Sequence, residues 1–523
     1  MDASPDPQDT LAREMQRKGL LRPLASSSSA LPAIPPALHV AFLHLDLGIG
    51  GAEQLVVNAA VALQQRGHRV TLWTTHHDPT HCFAETRGDG PLAPHVRVAG
   101  DWLPRQILGR FRALCAVVRM LYLAFMVGLL TRMGELCWWH RRGNEDRKQQ
   151  QQQLRHDHID IVFCDGVSAM VPLLRFLWRF PVLFYCHFPD KLLCTDRASL
   201  IKRCYRAPLD RIEESTTGAA TLIAVNSHFT AQVFTEAFPS LPSRHGTPAV
   251  IYPAINLKSF VPPKAAAAAT TTITENAASR GNVANITREL RPFVSLNRFE
   301  RKKNIGLALE ALALVRTSLQ HQAEDQKLNQ ENLLKELRLI IAGGYDDAVV
   351  ENKEYMRELQ SQAQQLDLSD CVSFQPSISD ATRATLLQEA LAVLYTPDRE
   401  HFGIVPLEAM YAGSPVLAVA SGGPLETVLH GKTGFLCEGT GKGFAEAMLR
   451  LLRKPESRDE MGRVGHEYVK EKFGLDAFAT TLEKAVLDTR TRAREGEQIW
   501  RGGIIWVLVM VGMVMLAQAL LYK

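Results

Sequence analysis

Short runs of β-forming, apolar residues recur along this chain with helix-length segments between them, and that alternation restricts the fold more than any other feature. In the first half the runs are 38–45, 70–74, 159–164, 182–186 and 222–226; in the second they are 293–296, 337–341, 372–375, 392–395 and 416–418. Amphipathic stretches such as 53–65 and 305–317 lie between them. Runs without polar alternation suit strands covered on both faces, and strands separated by helices pair in parallel through crossovers. The pattern therefore predicts an α/β protein built from two Rossmann-like, doubly wound domains. A length of 523 residues, too long for one hydrophobic core, agrees with two.

The expected boundaries are a disordered, Pro- and Ser-rich lead over 1–36, a first domain over 37–261, a linker insertion over 262–289, and a second domain over 290–475. A helix with a basic flank follows over 476–502. Gln149 to Gln153 and the Gln-rich 320–332 read as surface insertions.

Residues 504–522 are apolar and carry no charge, and as a helix they rise about 28 Å, close to the hydrocarbon thickness of a bilayer. Arg490, Arg492, Arg494 and Arg501 precede them and only Lys523 follows, which predicts a membrane anchor over 503–523 with the preceding chain in the cytosol. A second apolar stretch near 107–130 contains Arg119 and is flanked by Arg110, Arg112 and Arg132. It reads either as a membrane-associating helix whose arginines reach the headgroups or as a core helix. Nine cysteines, none in a C-x-x-C pair, fit a reducing compartment and make disulfides and structural zinc unexpected. Under that topology Asn285-Ile286-Thr287 stays unglycosylated. With 59 Lys and Arg against 55 Asp and Glu, no polyanion field arises and nucleic acid is not an expected partner.

Polar groups crowd the end of one strand in the second half: Glu400, His401, Phe402, Gly403 and Glu408, followed by Ser421-Gly422-Gly423-Pro424. A helix starting after Gly403 tolerates Pro406 in its first turn and points free N–H groups outward, toward phosphate or sugar oxygens. On one helix Glu400 and Glu408 would stand about 12 Å apart, so they cannot act as a pair. With Glu400 in the loop above, each carboxylate can grip a different diol of one long ligand, or each can be a solvated helix-start acid. Arg298, Arg301, Lys302 and Lys303 follow another strand. Arg298 and Lys303 are candidates to neutralise a departing diphosphate, whereas Arg301 and Lys302 read as surface cations.

In the first half, Gly48, Gly50 and Gly51 follow a strand and permit close backbone approach, without the Lys-Ser/Thr of a P-loop. His187 ends a strand, where it can face a ligand or be a satisfied core histidine. His76, His77, His81, His156 and His158 lack a convincing carboxylate partner and read as surface residues, so no metal site is expected.

Taken together, Gly50-Gly51-Ala52-Glu53, Arg298 with Lys303, and the E-x7-E stretch from Glu400 to Glu408 resemble the retaining glycosyltransferases of family 4, across both domains. The stretches 45–60, 186–193 and 399–404 are similar, within that family, to the α-1,3/1,6-mannosyltransferases of the dolichol pathway. The resemblance implies the GT-B fold, two Rossmann-like domains facing a cleft. It implies GDP-mannose as donor, without cofactor or metal, and a dolichyl-diphosphate-linked Man1GlcNAc2 acceptor extended by α1,3- and then α1,6-mannose. The setting implied is the endoplasmic reticulum membrane, with the catalytic domains on the cytosolic face and other dolichol-pathway mannosyltransferases as possible partners. Carried over residue by residue, Arg298 and Lys303 hold the diphosphate, Glu408 the ribose and Glu400 the donor sugar. His401, the Phe402 and Gly403 backbone and Gly51 complete the donor site, and His187 stands on the acceptor side. Glu400, His187, Lys303 and Arg298 form the implied catalytic set. The motifs leave two alternatives: another membrane-tethered transferase, such as the GlcNAc transferase of the glycosylphosphatidylinositol pathway, or a catalytically silent GT-B scaffold subunit.

Overall fold

A computed structural model describes residues 37–107, 112–140, 158–193, 210–255, 291–325 and 329–495. The expectations for 1–36, 149–153, 262–289 and 503–523, the anchor and Asn285 included, lie outside these residues.

The chain divides into two units. In the first, seven parallel strands, β1 (His39–Asp46), β2 (Arg69–His76), β3 (Val96–Val98), β4 (Ile161–Asp165), β5 (Val182–Cys186), β6 (Leu222–Val225) and β7 (Ala249–Val250), lie in the order β3-β2-β1-β4-β5-β6-β7. In the second, β8 (Phe293–Leu296), β9 (Leu339–Gly343), β10 (Val372–Pro376), β11 (Ala392–Tyr395), β12 (Val416–Val419) and β13 (Gly434–Cys437) lie in the order β10-β9-β8-β11-β12-β13, again parallel. Strand order reverses between β1 and β4 and between β8 and β11, and ligands of such sheets bind outside the carboxyl ends at that reversal. The helices that matter below are α1 (Gly51–Gln65), α2 (Arg112–His140), α3 (Gly306–Asp325), α4 (Asp380–Glu389), α5 (Ile404–Tyr411) and α6 (Leu475–Glu495).

The ten expected strands form. β3 and β7 were not anticipated, because two or three residues carry too little periodicity to register as a pattern, nor was β13, which opens on a glycine. Within the Gln-rich 320–332 segment, the chain extends α3 to Asp325 and contributes to a further helix, Asn329–Glu336, as expected of Gln, Glu, Lys and Leu, which are strong helix formers.

The first unit has a core on each face of its sheet. On one face α2 supplies Met120, Leu121, Leu123, Ala124 and Val127 against Leu43, Cys164 and Phe184. Arg119 on α2 is 2% exposed and its guanidinium is bound to Asp46 at 2.6 Å, so it faces the protein rather than lipid headgroups. The other side of α2 leaves Leu114, Phe125, Leu130 and Met133 exposed. Arg112–Met133 is the one stretch among the described residues long and apolar enough to cross a membrane.

On the opposite face α1 packs beside α6, whose Phe478, Ala479, Leu482, Ala485 and Val486 repeat at helical spacing. The first unit thus ends at Ala254 and resumes at Leu475, while the second runs from Ile255 to Gly474. Glu483 of α6 accepts bonds from Arg66 Nη1 at 2.8 Å and His68 Nε2 at 3.0 Å. Replacing it (Glu483→Ala) leaves the buried His68 ring N–H unpaired. The substitution is expected to cost about 1–3 kcal/mol and to lower the thermal midpoint followed by circular dichroism. An unchanged midpoint would mean that the apolar stripe alone docks α6.

Candidate active site

In the second unit the reversal is flanked by the segments leaving β8 and β11. After β8 the chain makes a short helical turn, Arg301–Lys303. After β11 it runs through Thr396, whose Oγ1 donates to the Lys303 carbonyl at 2.7 Å, to Glu400. The Lys303 ammonium, 13% exposed, is paired with Glu400 Oε2. Burial pushes the Glu400 carboxyl up, but Lys303 outweighs it and the net shift is downward, so Glu400 is ionised.

The loop after β12 packs directly on this segment. Gly423 N–H donates to the Glu400 carbonyl at 2.7 Å, and a Cβ at Gly423 would run into the Phe402 carbonyl. Gly403, at φ +81°, turns the chain into α5, whose first turn holds Pro406 as expected. The Phe402 ring is buried against Phe473, with centroids 6.0 Å apart, so toward a ligand it offers backbone only. Burial is also the main cause that lowers His401. Glu408 sits within α5, buried, with Oε2 bound to Arg383 of α4. Its burial raises the carboxyl and Arg383 offsets part of that rise.

The basic cluster divides. Arg301 is tied to Glu354 and Glu358, and Lys302 to Glu300, so both are surface residues as expected. Arg298 is 62% exposed and pairs with Glu300 at 3.0 Å, so the structure does not join it to Lys303 through a common partner.

In the first unit a second polar cluster stands at the reversal between β1 and β4. Side chains alternate along a strand, so Phe42, Phe163 and Tyr185 share one face; their rings meet tilted, at centroid distances of 5.0 and 6.1 Å. Two residues further along each strand direction, on the same face, come His44, Asp165 and His187. His44 Nδ1 lies 2.7 Å from Asp165 Oδ1 and His187 Nε2 lies 2.8 Å from Oδ2. Burial alone would discharge His44, but Asp165, and behind it Glu53 at 3.9 Å, hold its pKa up to about 10. Asp165 is likewise kept well below the usual carboxylate range against its burial by His44 and His187. An ionised carboxylate only accepts, so both imidazoles donate to it.

His187 borders a cavity of about 200 Å³ lined also by Gly166, Ser168, Phe188, Glu213 and Thr217. Glu213 accepts from the N–H groups of Asp190 and Lys191 at 2.7 and 3.0 Å, yet burial, then Asp190, raise it to about 7. Gly51 is the first residue of α1, with open space where a side chain would stand.

Residues 282–468 match the family described as glycosyl transferases group 1. A human protein named alpha-1,3/1,6-mannosyltransferase ALG2 is 46% identical over 457 residues, covering 86% of this chain and 96% of its own length. The enzyme of that name from Rhizomucor pusillus is 41% identical, covering 91% and 96%. The chain belongs to the ALG2 family of α-1,3/1,6-mannosyltransferases. Membership sets aside both the GlcNAc-transferase and the silent-subunit alternatives. Among solved structures, sucrose-phosphate synthase from Thermosynechococcus elongatus superposes with a TM-score of 0.57 at 21% identity, covering 86% of this chain and 98% of that one. The catalytic domain of starch synthase IV from Arabidopsis thaliana gives 0.56 at 15%, covering 87% and 99%. The fold is that of the GT-B glycosyltransferases.

Within this mannosyltransferase fold, the residues expected at the donor site, Lys303, Glu400, His401, Phe402, Gly403 and Glu408, belong to contiguous elements of the second unit. Gly51 and His187 belong to the first. Sequence reasoning missed Arg383, His44, Asp165 and Glu213. For His44 and Asp165 a signal existed: each continues the alternation of an aromatic strand face by one polar residue at the carboxyl end.

The raised pKa of His44 has a definite sign. Its contribution to stability is fully present below about pH 6.5, where an unfolded imidazole is still protonated, and is lost as pH rises toward about 10. The thermal midpoint is expected to fall across that window more steeply in the wild type than in His44→Gln; parallel profiles would remove His44 as the cause.

Proposed function

We propose that this chain transfers mannose from GDP-mannose to Man1GlcNAc2 on dolichyl diphosphate, adding an α1,3- and then an α1,6-linked residue with retention at the anomeric carbon. The observation that carries the reading is the Lys303–Glu400 pair at the strand-order reversal, a cation and an ionised carboxylate held side by side. In this reading Lys303 and Arg298 neutralise the charge growing on the departing diphosphate, the main electrostatic task in breaking a glycosyl phosphate bond. Glu400 accepts hydroxyls of the donor mannose with His401 beside it. Glu408 takes the ribose diol, and the N–H groups at Phe402 and Gly403 face phosphate and sugar oxygens. Gly51 allows close backbone approach on the donor side, and His187 contacts the acceptor. The attacking hydroxyl enters on the face the phosphate leaves, and its proton passes to the leaving phosphate oxygen, so no protein nucleophile is required. Lysine and arginine do the work a divalent cation does elsewhere, without metal or cofactor.

A lipid-linked acceptor calls for membrane association. The exposed apolar side of α2 and the uncharged stretch 504–522 support it. We place the protein at the endoplasmic reticulum membrane with its catalytic units on the cytosolic face, beside other mannosyltransferases of the same pathway.

The test offers purified full-length protein either GDP-mannose or UDP-GlcNAc, with Man1GlcNAc2 on phytanyl diphosphate and EDTA present, and weighs the released glycans. A gain of two hexoses from GDP-mannose alone is expected; a HexNAc gain, or none from either donor, overturns the reading. Lys303→Ala and Glu400→Ala are each expected to lose transfer by about 100-fold or more while the fold seen by circular dichroism is kept, and full activity in either removes that residue from its role. Deleting 504–523 is expected to release the protein into the carbonate-soluble fraction while transfer in detergent persists. Continued retention in the pellet would discount the anchor.

A further inference from the structure

We infer that Asp165, backed by His44 and Glu53, is a positioning residue that locks His187 as the Nε2–H tautomer, so that Nδ1 is presented as a hydrogen-bond acceptor for a hydroxyl of the sugar substrate. The inference deepens the proposed function and rests on its placement of His187 at the substrate.

Three observations carry it. Asp165 has a side chain only 1% exposed, so solvent satisfies almost none of it, and its two oxygens are each bound by a different imidazole. Its position is therefore over-determined: it pairs with Tyr185 across the β4–β5 register while His44 grips it from β1. Next, the charges alternate along the chain of contacts, with Glu53, His44 and Asp165 negative, positive and negative. The cation of His44 stands between two carboxylates, so the carboxylate facing His187 stays ionised and can only accept. The remaining titratable neighbours do not alter this. The Cys164 and Cys186 thiols and the Tyr185 phenol are held neutral by burial. Finally, His187 is held on both its backbone and its ring. Its backbone carbonyl accepts from Asn226 Nδ2 at 3.1 Å. Its ring meets the edge of Tyr185 at 5.0 Å, and the Tyr185 hydroxyl is itself fixed by donating to the Ile251 carbonyl at 2.9 Å. The ring is 29% exposed, at the cavity, and among the described residues Nδ1 has no protein partner.

A neutral imidazole donates from one nitrogen and accepts at the other, so holding Nε2–H on Asp165 decides what Nδ1 offers. Fixing that choice before substrate arrives spares the cost of selecting it afterwards. No proton leaves His187; the ring orients a hydroxyl.

The experiment labels the full-length protein with 15N-histidine, assigns His187 by comparison with His187→Gln, and reads the tautomer from the nitrogen shifts. In the wild type, Nε2–H with an unprotonated Nδ1 is expected. Asp165→Asn keeps the shape but can turn an amide N–H toward Nε2, so a shift to Nδ1–H or to a mixed population is expected. With it, kcat for mannose transfer should fall by about 10- to 100-fold, while KM for GDP-mannose changes less than twofold. Two results overturn the inference: a wild-type His187 protonated at Nδ1 or averaging between tautomers, which needs no variant, or an Asp165→Asn protein with altered tautomer and full kcat. If the wild type transfers no mannose at all, the proposed function fails while the nitrogen shifts still decide the tautomer, so the two failures are told apart.

Discussion

A parallel sheet covered on both faces has little room along its length for polar side chains, and this constraint organises each unit. The inner strands β1, β4, β5, β6, β8, β11 and β12 are filled mostly with Val, Leu, Ile, Phe and Ala, which are buried there. Polar chemistry is displaced to the carboxyl ends, where the chain leaves the sheet and two neighbouring crossovers diverge. Asp165 is the last residue of β4 and His187 follows β5; Lys303 and Glu400 lie in the segments that follow β8 and β11. Both clusters thus occupy equivalent places in two sheets of the same topology.

Once at those ends, the ionisable groups are partly or wholly removed from water, and charge pairing decides their state. Glu400 is ionised because Lys303 outweighs its desolvation, whereas Glu408, more deeply buried, is raised although Arg383 touches it. Asp165 needs two imidazoles. Each acid is paired with a base from a different element.

The same reasoning explains two helices. Arg119 interrupts the apolar run of α2 because Asp46, at the end of β1, supplies its counter-charge. The C-terminal α6 packs on the first unit's sheet because its apolar stripe finds α1 there, and Glu483 closes the contact on Arg66 and His68. Both features are electrostatic answers to apolar packing, and neither is local in sequence.

The amino-acid sequence by itself determined the class of fold, ten of the thirteen strands and the start of α5 after Gly403. These follow from periodicity, turn chemistry and motif spacing, which act over a few neighbouring residues. Only the tertiary structure decided that Lys303 rather than Arg298 meets Glu400, that Arg383 covers Glu408, that Arg119 turns inward, and that His44 and His187 share Asp165. Those pairings join residues up to 121 positions apart, as His44 and Asp165 are. Their formation depends on which strand ends the crossovers bring side by side, a long-range outcome of core burial that no local pattern encodes.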